Sequence, residues 1–139
     1  MESIVQAKRV LEIFKEMSQI PRESGNEKGI SDYIVNFAKN LGLEVHQDDQ
    51  YNVVIKKPAS PGYENRPSII LQGHIDMVCV RDHDSNHDFT KDPIANIIEG
   101  EWMHADHTTL GADNGMGGAM MLAILEDDSQ QHGPMQLLF

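Results

Sequence analysis

Apolar residues recur along the chain in two periods, and those periods predict its elements. Between Ile4 and Ile20, Val5, Val10, Leu11, Phe14 and Met17 form a stripe close to helical spacing. Pro21 ends that helix, because the residue before a proline avoids helical geometry. Ser24 with Glu27 then fits a capping box ahead of a second helix. Ile30, Tyr33, Ile34, Phe37, Ala38 and Leu41 make that helix the clearest amphipathic segment, and Gly42 stops it as a C′ glycine would. Leu43–His46 and Asn52–Lys56 read as strands joined by an Asp48-Asp49-Gln50 turn, with His46 facing solvent. Residues 57–67 hold Pro58, Pro61, Gly62 and Pro67 and form a loop.

The run Ser68–Gln72 reads as a central strand buried on both faces, which stops at Gly73 and delivers His74 and Asp76 to its end. Arg81–Pro93 is polar. A short strand is expected over Ile94–Ile98, with a turn at Glu99-Gly100-Glu101. Met116, Ala119, Met120, Ala123 and Ile124 repeat at helical spacing beside Asp113, with the methionines as core filler. Pro134–Phe139 opens a further central strand. Helices interleaved with strands predict an α/β layer architecture, with ligands gathering at the carboxyl ends of strands.

A chain of 139 residues, 40% hydrophobic and 24% charged, suits one globular domain. The net charge of -11 argues against a nucleic-acid partner and against an anionic membrane surface. The charged N-terminal segment does not read as a signal peptide, and no run approaches a membrane span. The lone cysteine, Cys79, is expected to be a buried reduced thiol, so the expected location is the cytoplasm.

Two stretches carry candidate chemistry. In extended chain alternate residues share a face, so His74 and Asp76 can point the same way, as a metal-bound imidazole and its orienting carboxylate would. On spacing alone, a polar pair in a surface loop is the commoner meaning of such a motif. The second stretch, Thr108–Gly118, places Asp113 in a glycine-rich turn, where glycine permits close backbone approach and positive φ.

Other motifs fail on inspection. Residues 82–93 mimic a calcium loop, but His87 and Pro93 stand where glycine and glutamate are needed. Gly111–Gly118 lacks the Gly-Lys-Ser/Thr of a phosphate cradle, and Met120 spoils a dinucleotide fingerprint. His83 and His87 lie in a solvated loop without an apolar stripe. His104 and His107 precede the glycine-rich turn and are assigned a structural or incidental role.

Together "QGHIDMV" and "TTLGADNGMG" resemble the first two metal motifs of the co-catalytic zinc exopeptidases. Within that superfamily the chain resembles the aminoacyl-histidine dipeptidases, through "ENRPSIILQGHIDMV" and "HDFTKDPI" as well. The resemblance implies a layered helix/sheet/helix catalytic domain that is incomplete here, residues 1–139 being its N-terminal part without the lid domain. It implies His74 as a zinc ligand, Asp113 as a bridge between two zinc ions, and Asp76 as the catalytic residue that orients the His74 ring. It further implies a cis Asp113–Asn114 bond, attack of a metal-bound hydroxide on the peptide bond of a dipeptide, of the Xaa-His type or a broader range, and a homodimer at full length. The glutamate base and the remaining ligands of such enzymes would lie beyond Phe139, so this chain alone is expected to be inactive. In those dipeptidases glycine stands where His107 does here, and histidine tolerates positive φ better than bulky residues do. Two alternatives remain: an aminoacylase or deacetylase of the same superfamily, and a non-catalytic metal-binding domain.

Overall fold

A computed structural model describes residues 2–139 of the chain. Helix α1 spans Glu2–Ser18. Its buried stripe is Ile13, Phe14 and Met17; Leu11, expected in the stripe, is turned outward, and Val5 lies outside the described side chains. Helix α2 spans Lys28–Asn40 and buries Ile30, Ile34 and Ala38, the face its period predicts. It ends in a Schellman arrangement. Gly42 has φ 71°, its N–H donates to the Lys39 carbonyl, and the Leu43 N–H donates to the Ala38 carbonyl. The expected capping box does not form: Glu27 holds the cap position without a side-chain capping bond, its carboxylate accepting from the Gly25 N–H, and the Ser24 hydroxyl donates to Asp76 instead.

Strand β1 (Glu44–Gln47) pairs antiparallel with β2 (Val53–Lys57). The turn between them is built on Asp48, whose Oδ1 accepts from the backbone N–H groups of Gln50 and Asn52, each at 2.9 Å. His46 is exposed, as its alternation predicts. Strand β3 (Ile69–Gln72) follows the proline-rich loop. Strands β4 (Asn96–Glu99) and β5 (Trp102–Ala105) form a separate antiparallel hairpin, of which only the first strand was expected. Helix α3 (Ala112–Glu126) and strand β6 (Met135–Leu138) complete the order.

The main sheet runs β1-β2-β6-β3. β6 is indeed central, antiparallel to β2 and parallel to β3. β3 is not. Among the described residues it lies at the rim, paired with β6, and leaves Ile69 48% and Ile70 65% exposed. The helices explain this: their buried side chains converge on Val53 and Ile55 of β2 and on Met135 and Leu137 of β6, in one continuous core. Alternate positions on the other face, such as Lys56 and Gln136, are exposed, so the described residues supply a helix layer to one face of the sheet.

α3 corrects a second expectation. Its buried positions are Gly115, Gly118, Ala119, Met121, Leu122 and Leu125, while Met120 is 52% exposed and Ile124 also faces out. The segment is apolar around its whole circumference, so periodicity alone could not choose the inward side.

The C-terminus of α3 is held by a lysine. Lys57, 6% exposed, donates from Nζ to the carbonyls of Ile124 (2.8 Å), Leu125 (3.1 Å) and Asp127 (2.9 Å). These are carbonyls that the helix itself cannot satisfy, and a cation there also complements the helix dipole. Lys57→Met fills a similar volume with no donor. It is expected to lower stability by about 1–3 kcal/mol, the cost of leaving buried acceptors unpaired, measurable by denaturant unfolding. Unchanged stability would show that water replaces the ammonium at no cost.

Candidate metal centre

β3 runs directly into the site. Gly73 is required where the strand ends, because a Cβ there would lie 2.9 Å from the Asn114 side-chain nitrogen. The chain continues extended. Ile75 and Met77 turn into the interior while His74 and Asp76 turn outward together, the alternation expected of them.

His74 sits between two carboxylates. Its Nδ1 lies 2.9 Å from Asp76 Oδ1, and its Nε2 lies 3.0 Å from Asp113 Oδ1. Burial alone would lower the His74 pKa, but hydrogen bonds to Asp113 and Asp76 outweigh it and raise the pKa above its ordinary value. Asp76 is held below the usual carboxylate range, first by the Ser24 hydroxyl and, against partial burial, by His74. Asp113 is 97% exposed, so its second oxygen is free to reach a further partner.

The turn that carries Asp113 is irregular. Gly111 at its start has φ 75°, Asp113 itself is non-helical at φ -92° and ψ 104°, and the Asp113–Asn114 bond is cis, as the resemblance implies. Regular helix resumes at Gly115. The Asn114 side chain folds over the new helix end and accepts from the Gly117 N–H at 3.2 Å. A Cβ on Gly117 would fall 2.2 Å from that Asn114 oxygen, so the asparagine demands glycine at this position.

His107 and His104 have polar partners of their own. His107 adopts φ 54°, so histidine does tolerate the positive φ of this turn. Its Nδ1 lies 2.7 Å from Asp82 Oδ2, and that contact raises its pKa, with Asp106 adding to the effect. His104 Nδ1 meets the Ala105 carbonyl at 2.9 Å. His83 is exposed on its loop, whereas His87 is half-buried against the Phe89 ring, 4.5 Å between centroids. Cys79 is half-buried rather than buried, and burial raises its pKa, which keeps it a thiol.

Two residues that local spacing did not reveal touch the site. Ser24, 52 positions before Asp76, bonds to it. Arg22 donates to the Ile75 carbonyl at 3.2 Å and to the Gly111 carbonyl at 2.8 Å. Nothing in their own neighbourhood marks them, since both contacts are made across long sequence separations.

The donor chemistry fits a borderline divalent ion: an imidazole nitrogen beside a carboxylate oxygen, the imidazole fixed from behind by a second carboxylate. Among the described residues no group of three or more His, Cys, Asp or Glu is placed to hold a metal ion. His74 Nε2 and Asp113 Oδ1 are two potential donors brought together, one nitrogen and one oxygen.

The fold is one shared with a solved peptidase of the M20 family. No protein-family model matches it. By sequence it is 48% identical to the cytosol non-specific dipeptidase of Escherichia coli K12 over 91% of this chain and 26% of that protein. The crystal structure of aminoacylhistidine dipeptidase from Vibrio alginolyticus superimposes with a TM-score of 0.90 at 46% identity, covering 94% of this chain and 26% of that one. A dinuclear metal-binding peptidase of the M20 family from Bacillus subtilis shares the fold alone, with a TM-score of 0.57 at 15% identity over 97% of this chain and 35% of that one. The chain spans about a quarter of the length of the first two proteins it matches. Among the described residues no helix is long and apolar enough to cross a membrane.

Proposed function

We propose that the full-length protein is a zinc-dependent dipeptidase that hydrolyses dipeptides, those of the Xaa-His type among them, and acts in the cytoplasm as a homodimer. The observation that carries this reading is the meeting of His74 Nε2 and Asp113 Oδ1 at 3.0 Å, from motifs 39 residues apart. Support comes from the names of the two dipeptidase relatives. In this reading His74, through Nε2, and Asp113, through its carboxylate, would hold the metal. Asp76 holds the Nδ1 proton and so keeps the ring turned toward the metal side. When bound, such ions polarise the scissile carbonyl and lower the pKa of water.

The test is metal analysis of the full-length protein together with a panel of dipeptides and N-acyl amino acids. Expected are about two zinc ions per chain and turnover of Xaa-His substrates. Turnover of N-acyl amino acids alone would replace the reading with an aminoacylase, and metal binding without turnover would replace it with a binding domain. Residues 1–139 alone contribute two donors, fewer than even one tetrahedral zinc takes, and are expected to show no turnover with zinc supplied. Robust zinc-dependent hydrolysis by that chain would contradict this.

A further inference from the structure

The segment that follows α1 runs beside the first ligand-bearing segment. The Met77 N–H donates to the Arg22 carbonyl at 2.9 Å, and Glu23 bridges Met77 in parallel fashion. Along this short stretch the Arg22 side chain is buried and the Ser24 side chain is exposed.

Arg22 is 1% exposed, the largest fully buried side chain of the described residues. Its two terminal nitrogens reach the Ile75 and Gly111 carbonyls, and its Nε has no hydrogen-bond partner. No carboxylate forms an ion pair with it among the described residues. The guanidinium is walled by glycines: a Cβ on Gly111 would lie 2.6 Å from it, and one on Gly115 2.7 Å. The glycines flanking Asp113 therefore make room for an arginine, besides shaping the turn.

Burying a cation against carbonyls alone is costly, and an apolar side chain of similar volume would fill the space more cheaply. What an apolar residue could not do is tie two separate segments together. Ile75 is flanked by His74 and Asp76, and Gly111 begins the turn of Asp113. The planar fork of arginine donates to both at once, whereas the compact ammonium of lysine is a single point.

We infer that Arg22 and Ser24 are positioning residues of the candidate metal centre. Arg22 sets the separation of the two ligand-bearing segments, and Ser24 anchors Asp76 behind the His74 ring. This rests on the reading of His74 and Asp113 as ligands.

The experiment measures zinc affinity of the full-length protein by competition with a chelator, alongside thermal stability in excess chelator. Ser24 is exposed, so Ser24→Ala should fold; it is expected to weaken zinc binding about 10-fold, with Ser24→Thr, which keeps the hydroxyl, within about twofold of the unmutated protein. Arg22→Lys, which keeps the charge and loses the fork, is expected to weaken zinc binding about 10–100-fold. Lys57→Met, destabilising but remote from the site, should leave zinc affinity unchanged. Unaltered affinity in both Arg22→Lys and Ser24→Ala would overturn the inference, as would an equal loss in Lys57→Met, which would make the effect one of general stability. If the unmutated protein itself bound no zinc, the ligand reading would have failed first, and the two failures are told apart by that control.

Discussion

Replacing His74 or Asp113 with alanine in the full-length protein is expected to cut dipeptide hydrolysis by more than about 100-fold and to strip metal from the site. The argument is comparative. Loss of a residue that merely orients a metal-binding histidine typically costs about 10–100-fold, and that range is expected for Asp76→Ala. Asp76 touches only the far nitrogen of the ring, whereas His74 Nε2 and Asp113 Oδ1 meet on the side where an ion would sit. Removing either leaves the described residues with a single donor, too few to retain an ion. Asp113→Ala is the sharper test, because its side chain is almost wholly exposed and its loss should leave the fold intact. Turnover and zinc content are the measurements. Unmutated levels of both in Asp113→Ala would sink the assignment.

Gly111→Ala is expected to lower stability by roughly 2–5 kcal/mol. About 1–2 kcal/mol comes from placing a side chain at a left-handed φ of 75°. A further 1–3 kcal/mol or so comes from overpacking, because the new methyl would sit 2.6 Å from the Arg22 guanidinium and 2.7 Å from the Met77 sulfur. Gly25→Ala separates the two causes. Gly25 has φ 92° with nothing within 4 Å of a Cβ, so it should lose only the conformational part. Equal losses for the two variants in denaturant unfolding would show that the buried guanidinium yields freely, against the tight packing seen around it.

How much of this was legible beforehand depended on whether the cause was local. α2 could be read because its period is clean and its stop signal chemical: Ile30, Ile34 and Ala38 repeat on one face, and Gly42 supplies a φ that other residues resist. The β1–β2 pairing was legible for the same reason, since Asp48 makes the turn with its own carboxylate. The inward face of α3 was not. Apolar residues surround that helix, and only the position of α1 and the sheet decides which of them are covered. β5 escaped notice because four residues carry too little pattern to be distinguished from loop.

For the site, the sequence by itself determined the chemistry: a histidine and an aspartate alternating at a strand end, and an aspartate among glycines at a helix start. Those are short-range patterns, and chain stereochemistry enforces them wherever they occur. Only the tertiary structure decided that the two stretches meet at 3.0 Å, that β3 lies at the sheet's rim, and that Ser24 serves Asp76 rather than a helix cap. It also decided that Arg22 lies beneath both stretches, held by carbonyls 53 and 89 residues away. The physical reason is common to all of these. A hydrogen bond or a buried face across such separations depends on how the core packs, and packing is a property of the assembled chain that no local window of residues contains.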